Sequence, residues 1–351
     1  MPNRRKKTNK GAVAEEVLRS YFIRAGYFAV RAVPFAYEAY DLTDVDIWLY
    51  MRSSSVSRTR AIVDIKSKKT PQAMERIFWT KGLQSVLGVD QAVVATTDRR
   101  IEVSEFGKRH GVVVLDGAFL NKLTKGEPIL SSDRMSEEDL LEAIDQNNLG
   151  KLDGDWKGRF RKCKALLLSE LTYDQLNAWL EEANFFAKQT LLVATHREVA
   201  CRIFYFVLSL IAICVDFIMR DLAFVEQSKK QDQISDGVRF GASGDKRITQ
   251  SVDLALNLLK QHLPAGAMNE AFLKRSVEKD FESIPASILA EYFSKPRVAA
   301  RLYETALNLE AMTYSRKFVP PNNQDINTKG LIGVVLDFWN IDREKFFASF
   351  E

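Results

Sequence analysis

The sequence predicts an α/β domain followed by an all-α domain. Three observations carry this. Up to about residue 125, short apolar runs with strand-like alternation are interleaved with helical stripes. From Phe160 onward nearly every apolar pattern has helical spacing. The charge changes sign between the two parts: residues 1–125 hold 22 Lys+Arg against 13 Asp+Glu, a balance of +9, whereas residues 126–351 hold 28 against 33, a balance of −5. Expected boundaries are a first domain at 1–125, a linker at 126–155 and a helical bundle at 156–351. A basic module beside a mildly acidic one points to a polyanion bound by the first.

The elements follow in order. The basic start "MPNRRKKTNK" has no apolar stretch behind it, so it does not read as a secretory signal. Val13, Ala14, Val17, Leu18, Tyr21, Phe22 and Ala25 keep a helical period, and Gly26 stands where a helix commonly stops. "YFAVRAV" is a short strand that Pro34 should close. "DVDIWLY" and "RAIVDIKS" alternate and suit an antiparallel pair joined by "MRSSSVSRT". A helix over Gln72–Leu87 follows, then the continuous apolar strand "QAVVATT", of the kind buried on both faces. "EVSEFGKRHG", "VVVLDG" and "AFLNKLTKG" read as helix, strand and closing helix. The result is a mixed sheet flanked by helices.

The linker is polar and turn-rich, with one short helix inside it. Beyond it, "IFYFVLSLIAICV" (Ile203–Val215) is an apolar run of 13 residues. That is short of the roughly 20 needed to span a bilayer, so it reads as the central helix of a bundle. The aromatics Phe185, Phe186, Phe204, Tyr205 and Phe206 are expected in its core. The protein is expected to be cytoplasmic, with no membrane partner.

Chemistry concentrates in "AIVDIKSKK". Alternation puts Asp64 and Lys66 on one face of the strand and Val63 and Ile65 on the other. This is either a half-exposed strand with a local ion pair, or a metal-ligating aspartate beside a catalytic lysine. Asp46 begins the neighbouring strand and can meet Asp64. Two like charges in a partly buried place need something positive between them, and Mg²⁺, or Mn²⁺, suits carboxylate oxygens. Glu15, on the edge of the first helix with Leu18 and Phe22, can add a third carboxylate, whereas Glu16 should be more exposed. Asp44 shares the strand parity of Asp46, so either could be the ligand.

Other chemistries are excluded by absence of their patterns. Neither HExxH nor a CxxC pair occurs, "GASGDKR" lacks Walker A spacing, and there is no GxSxG elbow. The helical part also lacks an Arg-x4-6-His pair.

The ordered set of a helical glutamate, Asp46 and Asp64-Ile65-Lys66 resembles the PD-(D/E)XK, or restriction endonuclease-like, nuclease superfamily. "KGAVAEEVLRSYFIRAGYFAVR" is similar to the opening of archaeal Holliday junction resolvases, and "GVDQAVVATTDRRIEVSEFGKRHGVVVLDG" to the later half of Mrr-type restriction endonuclease domains. The resemblance spans about residues 10–125. It implies a Mg²⁺-dependent DNA endonuclease in restriction or defence against foreign DNA, with Glu15, Asp46 and Asp64 as ligands and Lys66 as catalytic lysine. Lys68, Lys69, Arg76, Lys81 and Gln84 would face DNA. The chain departs from the pattern in having Val45, not proline, before Asp46. Alternatives are a repair or junction-processing nuclease, or a non-catalytic DNA-binding protein of nuclease ancestry. The helical part is expected to dimerise or to bind a partner protein.

Overall fold

The computed structural model describes residues 10–38, 40–66, 72–125, 133–146, 154–262 and 269–351. The chain divides into two compact units: residues up to Glu170 with Glu310–Phe318, and Leu171–Leu309 with Val319–Glu351.

The first unit contains a five-stranded mixed sheet. Helix α1 (Lys10–Arg24) leads into β1 (Phe28–Tyr37), β2 (Tyr40–Arg52) and β3 (Arg58–Lys66). Then come α2 (Ala73–Leu87), β4 (Gln91–Thr96), α3 (Ile101–Arg109), β5 (Val112–Leu115) and α4 (Gly117–Lys125). The strands lie in sequence order. The β1–β2 and β2–β3 pairs are antiparallel, and β3–β4 and β4–β5 are parallel. Gly26, at φ 90°, ends the turn after α1 as its position predicts. Pro34 does not end β1: the strand runs three residues further, with Pro34 opposite Asp44. β1 is the sheet edge, where a missing N–H breaks no second ladder.

Alternation divides the strand residues between two layers. Ile47, Leu49, Val63, Ile65, Val93 and Ala95 pack with Leu18 and Phe22 of α1, and α4 adds Phe119, Leu120 and Leu123. Trp48, Ile62 and Asp64 have the opposite parity. Helix α2 packs on β3 and β4, and α3 on β5.

The unit extends past residue 125. Helices α5 (Glu137–Gln146) and α6 (Trp156–Ala165) belong to it, so the second unit begins at Leu171 and not at 156. Buried Leu140, Ile144, Trp156 and Phe160 pack the added pieces in place, and ion pairs tie them to the sheet and α1. Arg31 Nη2 in β1 pairs with Glu138 of α5, 107 residues away. Buried Lys164 donates to Glu137 Oε1 at 2.7 Å. Arg134 Nη1 donates to Glu310 Oε2 at 3.1 Å, and Arg19 lies 3.8 Å from the same carboxylate. The Tyr314 ring is flanked by both guanidiniums, with Arg19 at 4.5 Å and Arg134 at 4.8 Å. A buried arginine must find acids wherever the chain can supply them.

The second unit is helical. Helix α8 (Arg197–Ile218) is buried from Val199 to Phe217 and contains the expected apolar run. By length and composition this segment could cross a membrane, but 94% of its most apolar window is buried inside the protein, as in a core helix. The same unit holds α7 (Tyr173–Leu192), which packs along α8, with α9 (Gln227–Phe240), α10 (Gly244–His262), α11 (Glu270–Ser283), α12 (Ala286–Ser294), α14 (Ile326–Phe338) and α15 (Arg343–Ala348). Helix α13 (Pro296–Thr313) gives its last residues, from Glu310, to the first unit. Phe186, Phe204, Tyr205 and Phe206 are fully buried, and Phe185 is half-buried against Phe186.

Candidate active site

The site forms where β2 and β3 leave their ladder. Ile47 pairs with Val63, and carrying that register one residue on sets Asp46 opposite Asp64. There the backbone ladder is replaced by a side chain: Ile65 N–H donates to Asp46 Oδ2 at 2.6 Å. Lys66, half-buried, ends β3 beside Thr96 of β4, and its carbonyl accepts from Thr97 N–H at 3.4 Å. Both strands thus place their polar residues at one end of the sheet's central ladder.

These groups act on one another electrostatically. The Asp46 carboxyl is pushed up to about 7 by burial, opposed by the Ile65 N–H, raised further by the charges of Asp64 and Glu15, and lowered by Lys66. Glu15 is also raised: burial dominates, Arg31 opposes it, and Glu138, Glu137 and Asp44 repel its charge. Such shifts mark carboxylates that lack sufficient compensating cation.

Two arginines supply part of that compensation. Arg76, near the start of α2, grips Asp64 through both Nε, at 2.8 Å from Oδ2, and Nη2. Its guanidinium also lies 5.6 Å from the Trp79 ring centre. Arg31 Nε lies 3.7 Å from Glu15, and Arg31 Nη1 donates to Ala12 O at 3.1 Å. A lone arginine inside "FAVRAV" was the sequence signal for this group. Only the structure shows which acids it serves.

Glu16, expected to be the exposed member of its pair, is instead buried. It accepts from Arg19 Nη2 at 2.7 Å and lies 3.6 Å from Arg31. The two buried arginines draw it inward. Glu15 remains the glutamate coupled to Asp46. Asp44 is exposed and 3.9 Å from Arg161 of α6, so the geometry brings Asp46, not Asp44, to Asp64.

The residues expected along DNA separate. Arg76 joins the acidic cluster. Lys81 donates to Gln84 Oε1 at 3.0 Å, and Gln84 Nε2 donates to Asp90 O at 2.9 Å, tying the end of α2 to the start of β4. Because β4 runs parallel to β3, that tie lies at the end of the pair away from Lys66. Lys68 and Lys69 lie outside the described residues.

Among the described residues, no group of three or more His, Cys, Asp or Glu side chains is arranged to hold a metal ion. The donor chemistry nevertheless suits a hard divalent cation: Asp46 stands opposite Asp64 at one end of β2 and β3, and the charges of Asp64 and Glu15 both act on its carboxyl. The Arg76 guanidinium occupies Asp64 in this arrangement. Comparison of the chain with models of protein families, with curated proteins and with solved structures finds no match.

Proposed function

We propose that the first unit is a metal-dependent nuclease of the restriction endonuclease-like type, hydrolysing phosphodiester bonds in DNA. The observation that supports this reading most is the electrostatic coupling of Asp46 to Asp64, Glu15 and Lys66, which come from three separate elements, at the end of β2 and β3. The element order, a helix, three antiparallel strands, a helix and a parallel strand, supports it as the frame on which the resemblance depends. Asp46, Asp64 and Glu15 would hold Mg²⁺ or Mn²⁺, which when bound supplies charge neutralisation at the phosphate and a more acidic water.

The protein's own residues do the rest. Lys66 Nζ donates to the attacking water or a phosphate oxygen and offsets charge that develops there. Asp46, Asp64 and Glu15, ionised as ligands, would also orient the attacking water. Ile65 N–H holds the Asp46 carboxylate in place. Restriction of foreign DNA is the role suggested by the Mrr-like segments.

Incubation of supercoiled plasmid with Mg²⁺ and with chelator tests the reading. Cleavage should need the metal and disappear in Asp64→Ala and Lys66→Ala, while Asp44→Asn stays active. Cleavage undiminished in chelator refutes it. The Arg76–Asp64 pair favours a second reading, a DNA-binding domain that no longer cuts, in which the arginine permanently replaces the metal. Binding of DNA with no Mn²⁺ affinity in its presence would establish that alternative.

A further inference from the structure

Helices α2 and α3 expose an aromatic face that the core does not explain. Phe78 and Trp79 are 62% and 50% exposed. Phe78 lies 5.3 Å from Phe106 and 5.9 Å from His110 between ring centres, and Phe106 and His110 are 4.4 Å apart. Large aromatics clustered in water are costly unless something covers them. Within the same helix, Gly82 stands one turn after Phe78 and Trp79. A methyl group built there would meet nothing within 4 Å. A mid-helix glycine costs roughly 0.5–1 kcal/mol relative to alanine. The glycine leaves open space beside the rings, which a methyl group would narrow.

The face is continuous with the acidic cluster. Arg76 holds Asp64 with its guanidinium while lying against the Trp79 ring, so the aromatic surface begins one helical turn from the candidate metal ligands. Exposed Lys81, Lys108 and Arg109 stand around it, against Glu75, Glu102 and Glu105 on the same helices. A duplex keeps its bases paired and stacked, so exposed rings find little on it to stack against. Unstacked bases are a better match, because every base offers a π face to an aromatic ring.

We infer that the α2–α3 face binds single-stranded nucleic acid, stacking bases on Trp79 and Phe78 and leading the strand to Asp64 and Lys66. This rests on the nuclease reading for its direction, but binding tests it without cleavage. Trp79 suits the measurement: Trp48, Trp156 and Trp179 are fully buried, and Trp339 donates its Nε1–H to Leu180 O at 2.8 Å.

The experiment is titration of the full-length protein with oligothymidylate and with a duplex of equal length, in chelator, following tryptophan fluorescence and anisotropy of a labelled strand. The single strand should quench fluorescence and bind at least about tenfold more tightly than the duplex. Trp79→Ala and Phe78→Ala should each weaken it by about fivefold or more. Trp79→Phe should keep most of the affinity and lose the quenching. Gly82→Ala should weaken binding although it favours the helix. Equal affinities for strand and duplex, unchanged by Trp79→Ala, overturn the inference and leave the nuclease reading to be judged by plasmid cleavage. Absence of binding to any nucleic acid overturns both, and quenching without preference for single strands overturns the substrate assignment.

Discussion

Asp46→Asn should make the first unit more stable at alkaline pH and hardly change it at acid pH. The Asp46 carboxyl ionises at about 7 in the folded protein and near 4 in an unfolded chain. Between those values the unfolded state has released its proton and the folded state keeps it. Stability therefore falls as pH rises through this window and levels off above it. The full loss corresponds to about 4 kcal/mol, and roughly 3 kcal/mol of it falls between about pH 5 and about pH 8. Asparagine has nearly the same shape, keeps an acceptor for Ile65 N–H and cannot ionise, so its variant lacks this slope. The assay is urea unfolding without divalent ions at both pH values, read by hydrogen exchange in peptides from β2 and β3, which report on the first unit alone. Mg²⁺ at the higher pH should stabilise the wild type and leave the variant little changed. Parallel pH profiles for the two proteins would refute the charge-crowding argument.

Arg76→Ala should raise Mn²⁺ affinity in the absence of nucleic acid, by isothermal titration, because Asp64 loses its bidentate partner; unchanged affinity would show that the arginine does not compete with metal. Ala32, half-buried across from Asp46, has φ 48°. Ala32→Gly should raise the unfolding free energy by about 1 kcal/mol, seen as a higher urea midpoint, since L-residues pay 1–2 kcal/mol there. Glu310→Ala should destabilise the first unit by about 3 kcal/mol, leaving Arg134 and Arg19 short of a buried acid. By the same reasoning a fragment of residues 1–130 should be poorly folded, seen as loss of near-ultraviolet dichroism. If the helical unit mediates pairing, light scattering at micromolar concentration should give twice the monomer mass, with exposed Leu254, Leu258 and Phe272 as the surface to mutate.

Much of the first unit was legible in the sequence because its information is local. Period-two alternation predicted β2 and β3 and put Asp64 and Lys66 on one face; helical spacing predicted α1 to α4 and the buried run in α8. These patterns arise from backbone geometry and reach only a few residues along the chain. What they could not show is how distant charges would be shared. Glu16 is buried because Arg19, one turn on in α1, and Arg31 of β1 both lie against it, and it is Glu15 whose charge reaches Asp46. Glu138 and Glu310 come from far along the chain to complete those arginines, which moves the unit boundary to Glu170 and draws in Glu310–Phe318. Arg76, expected to face DNA, instead holds Asp64, and Gln84 closes a turn. Strand and helix periods are set by neighbours in sequence, whereas the cost of an uncompensated buried charge is settled by whatever side chains the fold brings within a few ångströms. The sequence determined the elements and the chemical character of their faces; only the tertiary structure decided which acids and bases meet.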